Sequence, residues 1–337
     1  MKILVTPTSF QPGSENPALE ALRAAYPELV FNPCKRPLTE DELLPLLQDC
    51  DGYIAGLDFV TEKVLRACKK LKVISRYGVG YDRVDVAAAK ALGIAVTNTP
   101  GVNSEAVAEL TMGLILSLVR RIPYLDRQTK SNQWLRSTGT ELAGKTLGIV
   151  GLGAIGKLVA RCAKGFDMNV IAYDPYIQEG YCAAHGIGIR TLDALLCEAN
   201  VITLHLPLNN QTHHIIGQAA IAQMQPGTIL VNASRGALID EDAAYDALCS
   251  GQLGGLGLDA FEREPPTGSK LLTLDSVVAT PHTGAHTAEA TAKMAATSVE
   301  NRRPRGQTLS QPYLLRSTPH GCTGQYFFAC QRKSIYR

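Results

Sequence analysis

At 337 residues, with 45% apolar and 19% charged residues and a formal net charge of +2, the chain has the composition of a globular protein of about two domains. That balance leaves no large field of one sign for a nucleic acid or a membrane surface, and no apolar run reaches membrane-spanning length. The nine cysteines are odd in number and scattered without metal-type pairs, which argues against a disulfide framework or a metal site and for a reducing cytoplasm.

Met1–Val5, followed by Thr6 and Pro7, reads as a short strand and turn rather than a signal peptide. Strands near 2–6, 51–55, 72–75 and 94–97 then alternate with helices near 17–26, 39–48, 61–69 and 84–91. Such alternation means a parallel sheet covered by helices. A long helical stretch runs from about Ser104 to Arg121 and is broken at Pro123; its apolar segment Leu110–Val119 reads as a buried helix. An arm through Trp134 leads on to the next strand.

That strand, Thr146–Val150, runs into Gly151, Gly153 and Gly156, and the helix from Lys157 follows. The spacing is that of a dinucleotide turn: Gly151 for the tight exit, Gly153 for close approach of backbone to a pyrophosphate, Gly156 for close packing of the helix on the sheet. The helix N-terminus offers unpaired N–H groups and a positive dipole to the phosphates. A second strand, Asn169–Tyr173, ends in Asp174, eighteen residues beyond Gly156, where a carboxylate accepts from both ribose hydroxyls. It would repel a 2′-phosphate and no Arg follows it directly, so the expected cofactor is NAD rather than NADP. Strands near 200–204, 228–231, 253–257 and 277–280 complete a doubly wound nucleotide domain.

Three of these strands end in side chains that carry chemistry. Arg235 follows the apolar strand that ends at Val231; Glu264 lies beyond Asp259 and is held by Pro265 and Pro266; His282 follows Pro281. Arg is a permanent forked donor that can hold a carboxylate and polarise a carbonyl, and His exchanges a proton near neutral pH, its charged form favoured by a nearby Glu. Together they suit hydride transfer on a 2-hydroxy acid. Taken alone, each has a plainer reading: His282 as a cap, Glu264 as a solvated loop charge, Arg235 as a surface ion-pair partner. Their common location after cofactor-bearing strands favours chemistry. His213 and His214 are adjacent and do not share a face, and His205 at a strand end is as readily structural as a cofactor contact.

These segments, with Ser75–Asp82, Thr97–Glu105, Ala233–Gly236, Asp259–Pro266 and Pro281–Ala285, make the chain from Met1 to about Asn301 resemble the D-isomer-specific 2-hydroxyacid dehydrogenases, in particular their short phosphoglycerate-dehydrogenase-like branch. The resemblance implies an α/β protein of two doubly wound parallel-sheet domains, a Rossmann NAD-binding domain inserted into a flavodoxin-like substrate domain. It implies Arg235, Glu264 and His282 as the catalytic set, with His282 donating the proton in the reducing direction. It places Gly151, Gly153, Ala154, Ile155, Gly156, Asp174, Leu206, Pro207, Ala233, Ser234, Arg235, Asp259, His282, Gly284 and Ala285 on the cofactor, with Asp259 positioning the nicotinamide amide. It also implies that Val79 and Gly80, with Asn103 nearby, form the loop whose backbone amides hold the substrate carboxylate, and that Arg235 binds the substrate. In the family the arm bearing Trp134 packs across a two-fold homodimer of NAD-binding domains; a local core aromatic is the other reading.

The expected boundaries are 1–100 with 281–301 for the substrate domain, the chain crossing back after Pro281, and 101–280 for the NAD-binding domain, with the active site in the cleft between them. Phosphoglycerate-specific relatives usually carry a basic residue near Ala55–Asp58, where this chain has only an acid, so Arg76 is the candidate phosphate partner. The activity expected is an NAD-dependent oxidoreductase on 3-phosphoglycerate, hydroxypyruvate, glyoxylate or another small D-2-hydroxy or 2-oxo acid. The alternatives are an NADH-sensing corepressor-like binding protein and a phosphite- or formate-type dehydrogenase. Residues 302–337 carry seven basic and no acidic residues, lack a clear period, and read as an atypical basic tail that ends the last helix near Arg302.

Overall fold

The computed structural model describes residues 1–13 and 16–301, so the reading of the basic tail lies outside the described residues. The first sheet is built by β1 (Lys2–Val5), α1 (Pro17–Ala25), β2 (Glu28–Phe31), α2 (Glu40–Leu47), β3 (Gly52–Ala55), α3 (Glu62–Ala67), β4 (Val73–Arg76), α4 (Val86–Ala91) and β5 (Ala95–Thr97). All pairings are parallel in the order β2-β1-β3-β4-β5, the flavodoxin-like winding. The helices begin where polar caps satisfy free N–H groups: Thr39 and Glu42 form a reciprocal capping box on α2, and Asp85 caps α4. β3 and β4 are buried along their whole length, including the polar Ser75 and Arg76 at the end of β4. The sequence pattern passed over β2, whose burial is only partial and whose first residue is a glutamate.

The second sheet follows α5 (Ser104–Val119) and α6 (Ile122–Lys130). It comprises β6 (Thr146–Val150), α7 (Ala154–Lys164), β7 (Asn169–Tyr173), α8 (Glu179–Ala184), β8 (Gly188–Ile189), α9 (Leu192–Glu198), β9 (Val201–Leu204), α10 (Gln218–Ala222), β10 (Thr228–Asn232), α11 (Glu241–Ser250), β11 (Leu253–Leu258) and β12 (Val277–Ala279). Its order, β12-β11-β10-β9-β6-β7-β8, reverses direction between β6 and β9, and that switch point is where such sheets bind nucleotides. Pro123 does more than end α5. Arg121 turns the chain in the left-handed region at φ 53° and Pro123 then occupies the first turn of α6, where its missing N–H has no partner to lose.

The final helix, α12 (Ala288–Glu300), returns to the first sheet. Met294 and Ala295 are buried among Ile3, Val5, Phe10, Leu19 and Leu22, and the hydroxyls of Ser75 and Tyr77 donate to the carbonyls of Ser298 and Thr291 at 3.0 Å each. The first sheet's core is thus closed by both ends of the described chain.

Candidate active site

Gly151 leaves β6 at φ +102°, and a Cβ there would stand 2.7 Å from the main chain of His205; one at Gly156 would stand 2.2 Å from the Gly151 carbonyl. Around Gly153 a Cβ position meets open space, and α7 begins with Ala154 and Ile155 without any side-chain cap. Its first N–H groups therefore face the position that a pyrophosphate takes in this geometry. Asp174, at the end of β7, borders the same loop: Oδ2 accepts from Leu152 N–H and Oδ1 from Tyr176 N–H, both at 2.8 Å. Leu206 and Pro207 leave β9, Ala233 and Ser234 leave β10, and the Ser234 hydroxyl donates to the Leu204 carbonyl at 2.7 Å. An open glycine, an uncapped helix start and a flanking carboxylate fit a dinucleotide. His205 shares a hydrogen bond between Nε2 and the Thr203 hydroxyl at 3.0 Å, and burial drives its pKa down to about 3, so it stays neutral.

The three strand-end side chains meet at one loop of the first sheet. His282 sits at φ +55°, where its turn is fixed by the buried Asp259: Oδ1 accepts from the Thr280 hydroxyl at 2.6 Å and Thr283 N–H at 2.7 Å, Oδ2 from Gly284 N–H at 2.7 Å. His282 Nδ1 lies 2.8 Å from Glu264 Oε1, and Glu264 Oε2 accepts from Arg83 at 2.6 Å. Burial pushes the Glu264 carboxyl up, but the hydrogen bond and charge of His282, followed by the charge of Arg83, outweigh it and hold the pKa at about 2. Arg235 Nε donates to Asp82 at 2.8 Å and its Nη1 to the Ser234 carbonyl at 2.7 Å, while Asn232 holds its own carbonyl at 2.7 Å. Asp82 and Arg83 are consecutive residues beyond β4, so one short loop reaches both Arg235 and the Glu264–His282 pair.

That loop is rigidly held. Asn98 donates to the Val79 carbonyl at 2.8 Å, and Gly78 and Thr99 exchange hydrogen bonds at 3.0 Å. The N–H groups of Val79 and Gly80 have no protein acceptor among the described residues, and Gly80 lies directly under the Arg235 guanidinium. Together they form a small anion cradle. Asn103 is buried at the start of α5 with its Oδ1 unpartnered among the described residues. Arg76 is turned inward: it is buried, donates to the carbonyls of Ala55 and Tyr77, and burial lowers its pKa to about 10. Asp58 is also interior, accepting from Leu38 N–H at 2.6 Å, Tyr53 at 2.7 Å and Thr6. Ala285 packs against the first-sheet core, and His214 pairs with Glu262 at 2.9 Å.

Sequence reasoning missed Asp82, Arg83, Thr280 and Thr283. For Asp82 and Arg83 a signal existed, since two charges follow Gly78-Val79-Gly80 and Tyr81 beyond a strand's carboxyl end.

Residues 112–284 match the family model described as "D-isomer specific 2-hydroxyacid dehydrogenase, NAD binding domain". The chain is 48% identical over 259 residues to a D-3-phosphoglycerate dehydrogenase of Methanocaldococcus jannaschii, covering 75% of this chain but only 49% of that protein. It is 44% identical over 269 residues to a hydroxypyruvate reductase of Thermotoga maritima, covering 78% of this chain and 87% of that one. It thus spans about half the length of the phosphoglycerate dehydrogenase and most of the reductase. Among solved structures, a D-lactate dehydrogenase of Aquifex aeolicus in complex with NAD and lactic acid superposes with a TM-score of 0.77 at 31% identity, covering 89% of this chain and 93% of that chain.

Proposed function

The chain belongs to the D-isomer-specific 2-hydroxyacid dehydrogenase family, and from that premise we propose that it moves a hydride between NAD and a small D-2-hydroxy or 2-oxo acid in the cleft between its two sheets. The observation that carries this is the Glu264–His282 contact at 2.8 Å, joined through the Asp82–Arg83 loop to Arg235. Bound NADH supplies the hydride. The Val79 and Gly80 N–H groups and Arg235 hold the substrate carboxylate, and Arg235 polarises the carbonyl. With Nδ1 fixed on Glu264, His282 presents Nε2–H, donates that proton to the carbonyl oxygen as it gains charge, and recovers it in the oxidising direction. Asp259 sets the turn that aims the ring. Asp174 selects NAD over NADP.

The substrate we favour is unphosphorylated, such as hydroxypyruvate or glyoxylate, because Arg76 donates to interior carbonyls and Asp58 occupies the place of a phosphate-binding base. We divide the chain at 1–100 with 281–301 and 101–280, a reading supported by the two sheets and the return of α12. We further propose a homodimer through the NAD-binding half, whose arm exposes Trp134. No helix of the described residues is long and apolar enough to cross a membrane.

The test is NADH oxidation against a panel of 2-oxo acids, with His282→Asn and Asp174→Ala beside the wild type. Turnover should fall at least about a hundredfold in the His282 variant with NADH still bound, and the Asp174 variant should gain NADPH use. NADH binding without turnover of any acid would return the sensor reading; a wild type that prefers NADPH, or 3-phosphoglycerate over unphosphorylated acids, would overturn the corresponding assignment.

A further inference from the structure

The carboxylate of Glu264 serves partners from both sheets. Oε1 accepts from His282 Nδ1 at 2.8 Å and from Phe261 N–H at 3.3 Å, whereas Oε2 accepts from Arg83 at 2.6 Å. Arg83 belongs to the first-sheet side and is prepositioned there, donating to the Leu57 carbonyl at 2.8 Å and stacking its guanidinium 4.9 Å from the Phe59 ring centroid. Glu264 and His282 belong to the second. At 17% and 13% exposure, Arg83 and Glu264 interact with little screening by water.

We propose that Arg83 is a positioning residue that acts on His282 through the Glu264 carboxylate. The guanidinium takes up part of the Glu264 charge and repels a protonated ring, which favours release of the His282 proton. Without that guanidinium, the undivided carboxylate charge would stay on the ring and retain the proton. Arg83 and the Val79–Gly80 cradle lie on the same loop, so the segment proposed to hold the substrate carboxylate also supplies this charge. The other ionisable groups around these residues are Asp259, His286 and Glu241 on the second-sheet side or its exit and Asp82, Arg76 and Arg235 about the loop, and Arg83 is the cation bonded directly to Glu264. Phe261 N–H and the flanking Pro265 and Pro266 keep Glu264 in place when Arg83 is removed, which makes charge rather than position the larger effect.

The inference rests on His282 being the proton donor, so its test reads the ring directly rather than turnover. The His282 ring resonance, identified by its loss in His282→Asn, is followed against pH by NMR in wild type, Arg83→Met and Arg83→Lys. The Met variant should titrate about half a unit to one unit higher than wild type, and the Lys variant should return close to it. A Met variant that titrates with or below wild type overturns the inference, as does an equal rise in both variants. If the shift appears but no 2-oxo acid is turned over by the wild type, the coupling stands and the dehydrogenase reading fails.

Discussion

At the scale of single residues, the site is a chain of opposite charges whose members lie far apart in sequence. Arg235 and Asp82 are 153 residues apart and Arg83 and Glu264 are 181 apart. Arg235, Glu264 and His282 were legible because each follows a strand of the nucleotide sheet. Asp82 and Arg83 were not assigned, because their partners sit on another sheet and the one local mark, two charges after a glycine loop, does not name those partners. Glu264 also gives a pH dependence with a definite sign. Its pKa falls from the ordinary 4.5 to about 2 in the fold, so its pairing stabilises the protein fully above about pH 4.5 and is lost as pH falls through about 2. With Glu264 only 13% exposed, the contribution is on the order of 2–3 kcal/mol. Glu264→Gln should therefore lower the thermal midpoint at pH 6, and the difference from wild type should shrink steadily toward pH 2. A difference that is constant between pH 6 and pH 2.5 would show that ionic pairing is not its source.

At the scale of elements, buried parallel strands with capped helices between them announce themselves as apolar runs and polar caps, so the alternation and the glycine turn were legible. β2 and α6 escaped for opposite reasons: β2 is too exposed to read as an apolar run, and α6 carries in its first turn a proline that the pattern treats as a stop. Two glycines show how strand-end loops are fitted to the site. A Cβ at Gly80 would fall 1.3 Å from Arg235 Nη2, the mobile end of a side chain, whereas one at Gly236 would fall 1.8 Å from the Phe261 carbonyl carbon, which is backbone. Gly80→Ala should therefore leave stability within about 1 kcal/mol while displacing Arg235 and raising KM for the acid roughly tenfold or more. Gly236→Ala should cost about 2 kcal/mol or more, since the 258–264 segment itself must move. Calorimetry with steady-state kinetics on both proteins checks the contrast; equal stability loss in the two would refute it.

At the scale of the whole molecule, the winding of each sheet and the return of the chain after Pro281 were expected in outline, but which side chains the last helix buries there was not. Nothing in the pattern of α12 says that Met294 and Ala295 fill a core begun by Ile3 and Val5; only the topology brings them together. The same limit applies to the arm after α6. A tryptophan on such an arm fits a local core or a partner equally well in sequence, and the fold leaves Trp134 82% exposed with Leu135 at 49% and Ile122 at 51%. Large apolar side chains exposed along one segment fit the homodimer proposed above, in which a second copy in two-fold symmetry would meet them with the same surface. Each such side chain buried contributes about 1.5–3 kcal/mol, so three from each protomer suffice for a stable pair once the entropy of association is met. Sedimentation equilibrium should return twice the protomer mass for the wild type, and Trp134→Ser combined with Ile122→Ser should shift the protein toward monomer while NADH binding, which depends on the β6–α7 turn, persists. A wild type that sediments as a monomer at micromolar concentration would leave the exposed arm without this role.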